Sequence, residues 1–424
     1  MNNTAMNIVR KIIAYLPFLS ILLIVAMFPF RYTEWQRIAM YSLAVTYPLD
    51  YIVNGRWREW RWSFSKGVFI AFCAFALLTP IWQLTDPLKT DLYQVTLNDV
   101  APFFFIGIAG FLGMANTIRM EYVGWVMLSI SVAICAYVGY LATLDALQGY
   151  DWWFAFNWFR EKNVNTHMVL NLYFNLSLIL GAFVLFETSY LRVVKILTVL
   201  LMVPVFFALL ITDGRVGLLT MVLLVFLFLL QYTVRLRRWW IVAVMAVFCV
   251  GSGIYLANND RIQEMFHTKN PRIEQWKEAA HMIQERPITG YGVCSARKEY
   301  VERVLANDYL RNTYVAEEVE SNPDFQRNGV IQYDMMHPHN AILETWTRYG
   351  LIGLLLCLFC LISPMCTRLG KYQLYLTLCA LAFLIQALFE SFGSNLQPLF
   401  LASMMLLFYS DHFAHIAPSA PAHA

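Results

Sequence analysis

Charged side chains are scarce in this sequence. Asp, Glu, Lys and Arg make up 14% of its 424 residues, against about 25% in soluble globular domains. That excludes an ordinary soluble fold, and a net charge of only +3 gives no footing for nucleic-acid binding. There is no glycine-rich phosphate loop and no HExxH zinc signature, so neither a nucleotide site nor a ready-made metal site is visible. No internal repeat of the kind many transporters carry is found either. Seven of the eight cysteines lie in or beside apolar blocks. Only Cys294 sits in the longest polar segment, which therefore cannot close an internal disulfide. Cys357 and Cys360 read most simply as small apolar residues on one helix, with a metal or redox pair as the alternative. Finally, no small-residue cleavage site precedes Arg31. The first apolar block, behind Arg10 and Lys11, is expected to remain as a signal anchor.

What is abundant is apolar length. Hydrophobic residues make up 59% of the chain. They fall in blocks of about 17 to 23, enough for a helix to cross a roughly 30 Å hydrocarbon core. Twelve spans are expected, near 12–30, 37–53, 66–84, 98–118, 123–143, 167–187, 193–212, 216–234, 239–257, 341–363, 372–390 and 397–413. The expected fold class is therefore all-α: a polytopic membrane bundle of about 12 helices. One set of alternate connections holds fourteen Lys and Arg, among them Arg56, Arg58, Arg61, Arg119, Arg235, Arg237 and Arg238, and the other set holds six. By the positive-inside rule both termini are cytoplasmic. The chain then divides into nine spans over 1–257, an outer segment at 258–340, and three spans with a short cytoplasmic tail at 341–424.

Two outer segments are longer than most functionless loops. The first, 144–166, contains YDWWFAFNWF, whose aromatics suit either headgroup anchoring or a lipid-facing shelf. The second is 258–340. Within it, NPRIEQWKEAAHMIQERP predicts a helix that Asn270 caps, Pro271 opens and Pro287 ends. Ile273, Trp276, Ala280 and Ile283 give it one apolar face. A charged stretch from Arg297 to Asn322 reads as a solvated helix. Between them lies Gly290-Tyr291-Gly292. A channel filter would need a re-entrant loop between spans, and this tripeptide instead follows a polar helix.

Three places carry chemistry. Arg215 opens a span in TDGRVGLLT, a costly depth for arginine unless it is paired or faces a polar cavity. A structural pair with Asp213, or snorkelling, is the alternative. Arg272 sits in the first turn of the outer helix, against the dipole, with solvent exposure as its simplest reading. In MMHPHNAILETW, Pro338 disfavours helix at His337 and Asn340 can cap the helix that follows. His339 then lies beside a helix start, which attracts anions and favours the neutral imidazole. Glu344 and Arg348 stand four apart and can pair. His337 and His339 as two zinc ligands would need a third from elsewhere. Arginines and a neutral histidine at an outer membrane face suit a lipid-linked diphosphate: the arginines offset leaving-group charge and the histidine takes a hydroxyl proton. With no nucleotide domain, the energy must arrive with a lipid-activated donor.

These motifs resemble the O-antigen ligase and polymerase superfamily of bacterial envelope glycosyltransferases. The matching elements are TDGRVGLLT, PRIEQWKEAAHMI with RPITGYG, and HNAILETWTRYGLIGLLL, which together span roughly 195 to 363. The resemblance implies a GT-C-like membrane enzyme of the bacterial inner membrane with a periplasmic active site. It implies an undecaprenyl-diphosphate-linked O-antigen donor, a lipid A–core acceptor, and neither cofactor, metal nor nucleotide. It makes His339 the general base and Arg215 and Arg272 the diphosphate arginines. His337, Arg297, Arg286, Asn340 and Glu344 are secondary candidates. Many relatives carry serine before the span-opening arginine, where this chain has Gly214. A single large outer loop favours a ligase. A polymerase or protein O-oligosaccharyltransferase is the alternative within the superfamily, and a transporter the alternative outside it.

Overall fold

The computed structural model describes residues 3–30, 33–85, 104–112, 119–212, 214–237, 240–257, 271–312, 337–366 and 372–390. Thirteen α-helices carry the architecture: α1 Asn3–Met27, α2 Thr33–Val53, α3 Phe64–Thr85, α4 Met120–Ala146, α5 Trp152–Asn163, α6 His167–Glu187, α7 Arg192–Ile211, α8 Arg215–Leu236, α9 Trp240–Ala257, α10 Pro271–Glu285, α11 Val293–Ala306, α12 Ala341–Cys366 and α13 Gln373–Phe389. No strand occurs among the described residues. Ten of the expected spans coincide with α1–α4, α6–α9, α12 and α13. The expected span at 98–118 meets a helical segment at 104–112, and the one at 397–413 lies outside the described residues. Among the described residues seven helices, α1, α3, α4, α6, α7, α8 and α12, are long and apolar enough to cross a membrane. Leu200 and Val250 each leave 62% of their surface exposed, and Val247 leaves 74%, as faces turned to lipid require. This is a multi-pass helical membrane protein.

α6 is the centre of the bundle. Leu170, Tyr173, Phe174, Leu176, Leu180 and Phe183 are all buried, and α4, α7, α8 and α13 pack around them. Lipid gives apolar side chains no reason to leave it, so close approach and internal hydrogen bonds hold such helices together. Ser131 and Ser177 join α4 to α6 at 2.9 Å. Asn175 donates to the Gly217 carbonyl of α8 at 3.1 Å, and Thr212 donates to Asn171 Oδ1 at 2.8 Å. Cys357 and Cys360 are buried in the core on α12.

α10 and α11 form a small outer layer on the start of α12. Two expectations are corrected here. The buried face of α10 is Gln275, Ala279, Met282 and Ile283, while Ile273 is 40% exposed. Ala279 and Met282 meet an apolar stripe on α11, with Ala296, Tyr300 and Val304, and this partner rotates the face away from Ile273. For the same reason α11 is no solvated helix: it begins at Val293 and buries one side. Its charges drew attention from a stripe at helical spacing. Residues 313–322 of that stretch, like the Asn270 cap, lie outside the described residues.

The glycine turn after α10 is woven into α12. Gly350 takes φ 65° and ψ −160° inside the helix, a conformation that L side chains adopt at a cost. The break frees the Thr347 and Arg348 carbonyls, which accept from the Tyr291 and Gly292 amides at 2.8 and 3.0 Å. Leu351 N–H in turn donates to Ile288 O at 3.1 Å. A Cβ on Gly290 would overlap the Gly350 nitrogen, and one on Gly350 would overlap the Ile288 carbonyl. Two glycine motifs far apart in sequence are therefore the halves of one backbone crossing.

Candidate active site

His339 stands at the mouth of α12. Its φ of 47° is left-handed, a region that histidine tolerates better than most residues. The geometry is fixed from both sides. Trp276 Nε1 on α10 donates to Pro338 O at 2.8 Å. Asn340 caps α12, its Oδ1 accepting from Ile342 and Leu343 amides at 3.0 and 2.9 Å. Asn340 Nδ2 also donates to Leu388 O at 2.8 Å, and the first amide of α12, Ala341 N–H, donates to Glu390 O at 2.9 Å. The positive start of α12 thus sits against the negative end of α13, a favourable pairing of dipoles.

Glu390, at the end of α13, is the residue that organises this site. Its side chain is 4% exposed. Oε2 lies 3.5 Å from His339 Nδ1, and Oε1 lies 3.3 Å from Arg272 Nη2. Arg272 Nη1 also donates to Phe389 O at 3.2 Å. Arg272 is therefore held by a partner rather than left to solvent, which is what offsets its unfavourable place in the first turn of α10. A carboxylate at Nδ1 favours the tautomer with its proton there, leaving Nε2 as the basic nitrogen. His337 is buried, with its ring centroid 4.5 Å from that of His339 and edge-on.

The other candidates separate. Asn340 is structural through its cap. Glu344 and Arg348 pair one turn into α12. Arg286 stacks on the Tyr291 ring, 4.5 Å from its centroid, and Arg297 is half-buried on α11. No group of three His, Cys, Asp or Glu among the described residues is arranged to hold a metal. Arg215 begins α8. The turn before it fits the space left by α6: a Cβ at Gly214 would overlap the Asn171 amide, and one at Gly217 would do the same. Asn171 Nδ2 reaches Gly214 O at 3.4 Å. The departure from serine thus has a physical reason, because Asn171 occupies the volume a hydroxyl would need.

Two more groups were not anticipated by sequence. His167 opens α6 beside Gly214, and the charges of Arg160, Glu390 and Arg272 all reach it. Arg160, at the end of α5, is 1% exposed. Burial pulls its guanidinium down to about 10, with Glu161 acting the other way, so it stays cationic at neutral pH. The available signal for all three, Glu390, His167 and Arg160, was an ionisable group at the edge of an apolar span or in an aromatic segment. Below them an apolar cavity of about 340 Å³ opens between α6, α7 and α8. Asn175 lies at its polar end, and Met202, Phe206, Leu224 and Phe228 line it further down.

The starts of α10 and α12 thus meet at buried Glu390 through Arg272 and His339. Its charge also reaches His167 at the start of α6, which Arg160 approaches as well, and the start of α8 lies beside α6. Such a set favours an anionic ligand. A search of the curated proteins finds no match to the chain. Residues 197–358, which carry Arg215, Arg272 and His339, match the family model described as O-Antigen ligase. Over that segment the chain is similar to the O-antigen ligase family.

Proposed function

We propose that the protein is an O-antigen ligase. It takes a glycan from undecaprenyl diphosphate and transfers it to a hydroxyl of lipid A–core oligosaccharide, at the periplasmic face of the bacterial inner membrane. The reading carries with it cytoplasmic termini and a periplasmic 258–340 segment. The observation that supports it most is the Arg272–Glu390–His339 chain at the start of α12, of which Arg272 and His339 lie in the segment matched by the family model. His339 Nε2 takes the proton of the acceptor hydroxyl as its oxygen forms a bond to the anomeric carbon. The bond from that carbon to the diphosphate oxygen breaks, and the diphosphate leaves with the electron pair. Glu390 holds the Nδ1 proton and stabilises the imidazolium that results. Arg215 and Arg272 offset the leaving-group charge, and direct displacement inverts the anomeric centre. The apolar cavity beneath Asn175 suits an isoprenoid chain.

The experiment is mass spectrometry of products made by purified protein from an undecaprenyl-diphosphate glycan and lipid A–core. Glycan on lipid A–core that disappears with His339→Ala, while the variant still inserts in the membrane, supports the reading. Undiminished transfer by His339→Ala removes the base assignment. Elongation of the lipid-linked glycan instead identifies a polymerase.

A further inference from the structure

α5 is amphipathic the wrong way round for a simple membrane anchor. Asp151 caps it, accepting from Phe154 N–H at 2.7 Å. Trp153, Phe154 and Trp158 are exposed at 55%, 67% and 53%, and these aromatics suit a headgroup layer. An arginine on such a helix ordinarily turns outward to lipid phosphates and water. Arg160 turns inward and is among the largest fully buried side chains of the protein. Its Nε, Nη1 and Nη2 have no hydrogen-bond partner among the described residues. Glu161, next along the helix, acts on it only through space. A buried guanidinium without a carboxylate or carbonyl is costly, and it persists where an anion completes it.

The surroundings fit an anion. His167 is the first residue of α6, and the charge of Arg160 reaches it. The cap residue of that helix, Thr166, makes no side-chain cap hydrogen bond, so the first amides of a 21-residue helix are left for another acceptor. The α6 start also lies against the Gly214 turn that leads into Arg215. None of these α5 and α6 groups falls in the segment matched by the family.

We infer that Arg160, His167 and the uncapped start of α6 form a phosphate-binding subsite that takes a phosphate group of a lipid substrate. The inference rests on the ligase reading for the identity of that lipid, which is either the diphosphate of the donor or a phosphate of lipid A–core. Arg160 would grip the phosphate with two N–H groups while the α6 amides and His167 meet its remaining oxygens. The aromatic shelf of α5 keeps the subsite at headgroup depth.

Binding and thermal unfolding of the full chain in nanodiscs test this without any transfer reaction. The probes are undecaprenyl diphosphate and phosphorylated lipid A–core, added separately. At least one should raise the wild-type Tm, and the one that does identifies the source of the phosphate. Arg160→Met should unfold no earlier than wild type without probe, because it removes a buried, unpartnered charge. It should weaken binding of the effective probe by about tenfold or more, and Arg160→Lys should recover part of it. Undiminished probe binding by Arg160→Met overturns the inference. So does an Arg160→Met protein that unfolds earlier or is not recovered folded, since that marks a structural arginine. His339→Ala should bind like wild type yet not transfer. If wild type binds but transfers nothing, the ligase reading fails while the subsite stands.

Discussion

Glu390→Gln is the sharpest perturbation available at the active site, because it keeps volume and removes only charge and acceptor capacity. The wild-type carboxylate accepts a hydrogen bond from Arg272 Nη2 at 3.3 Å and stands at ion-pair distance, 3.5 Å, from His339 Nδ1. A glutamine has one acceptor and one donor end. Arg272 offers only N–H groups, so the amide oxygen must turn to it and the amide nitrogen then faces Nδ1. Nδ1 becomes an acceptor and the imidazole proton moves to Nε2, the atom that should receive the acceptor's proton. The base is blocked by tautomer rather than removed. General-base catalysis contributes about 10²–10⁴ in rate, and tautomer reversal in a comparable triad costs about 10⁴. A kcat loss of about 10² to 10⁴ is expected, with KM little changed.

Stability should respond far less. The arginine side chain is 35% exposed, so screening reduces the lost charge-assisted contact to about 1 kcal/mol. Glu390→Asp keeps two acceptors but retracts them by one methylene, and intermediate turnover is expected. The assay is initial-rate transfer of glycan to lipid A–core by purified protein, alongside thermal unfolding. Glu390→Gln within about threefold of wild-type kcat would refute the assigned geometry, whatever happened to its Tm.

Gly350→Ala should destabilise the protein by about 2 kcal/mol or more, since the new Cβ meets the Ile288 carbonyl at a backbone φ of 65°; an unchanged unfolding temperature would contradict the backbone crossing. Gly214→Ser should lose activity, because Asn171 fills the space. Adding Asn171→Ala should restore at least part of it, and a double variant no better than the single one would show that the overlap is not the cause. In the outer layer, Arg303 first and Tyr291 second hold the Glu285 carboxyl down at about 2. A depressed carboxyl contributes its full stability above its unfolded value and loses it progressively as pH falls from there through about 2. Hydrogen exchange at the end of α10, corrected for intrinsic rates, should therefore stay flat from about pH 8 to about pH 5.5, and Glu285→Gln should raise it throughout. A wild-type rise in exchange within that range would count against the pair.

What could be read from the sequence, and what could not, divides along one physical line. Apolar block length gave nine helices to within four residues and a tenth, α1, that starts nine residues earlier than expected. Local rules gave the Asn340 cap and the Glu344–Arg348 pair, because each depends on neighbours within one or two turns. The face of α10 was misread because α11 decides it, and α11 was misread because its charges outweighed Val293, Ala296, Tyr300 and Val304. The same limit hid Glu390, which contacts Arg272 across 118 residues of chain. Its case is instructive, because it stood in plain sight as the last residue of an expected span. Charges at span ends are usually topology markers, and a count of Lys and Arg by loop treats them all alike. Arg160 entered that count as one of six minority cations, although it is turned away from the water that such a marker faces. Direction is the missing variable: the same arginine is an anchor when it faces outward and a ligand when it faces inward. For α5 spacing alone does not supply it, since Arg160 follows Trp153 by seven residues, about two turns on, yet Trp153 is exposed and Arg160 is buried. The packing of α5 against α4 decides which way that arginine turns, and a partner helix far along the chain is what local spacing does not display.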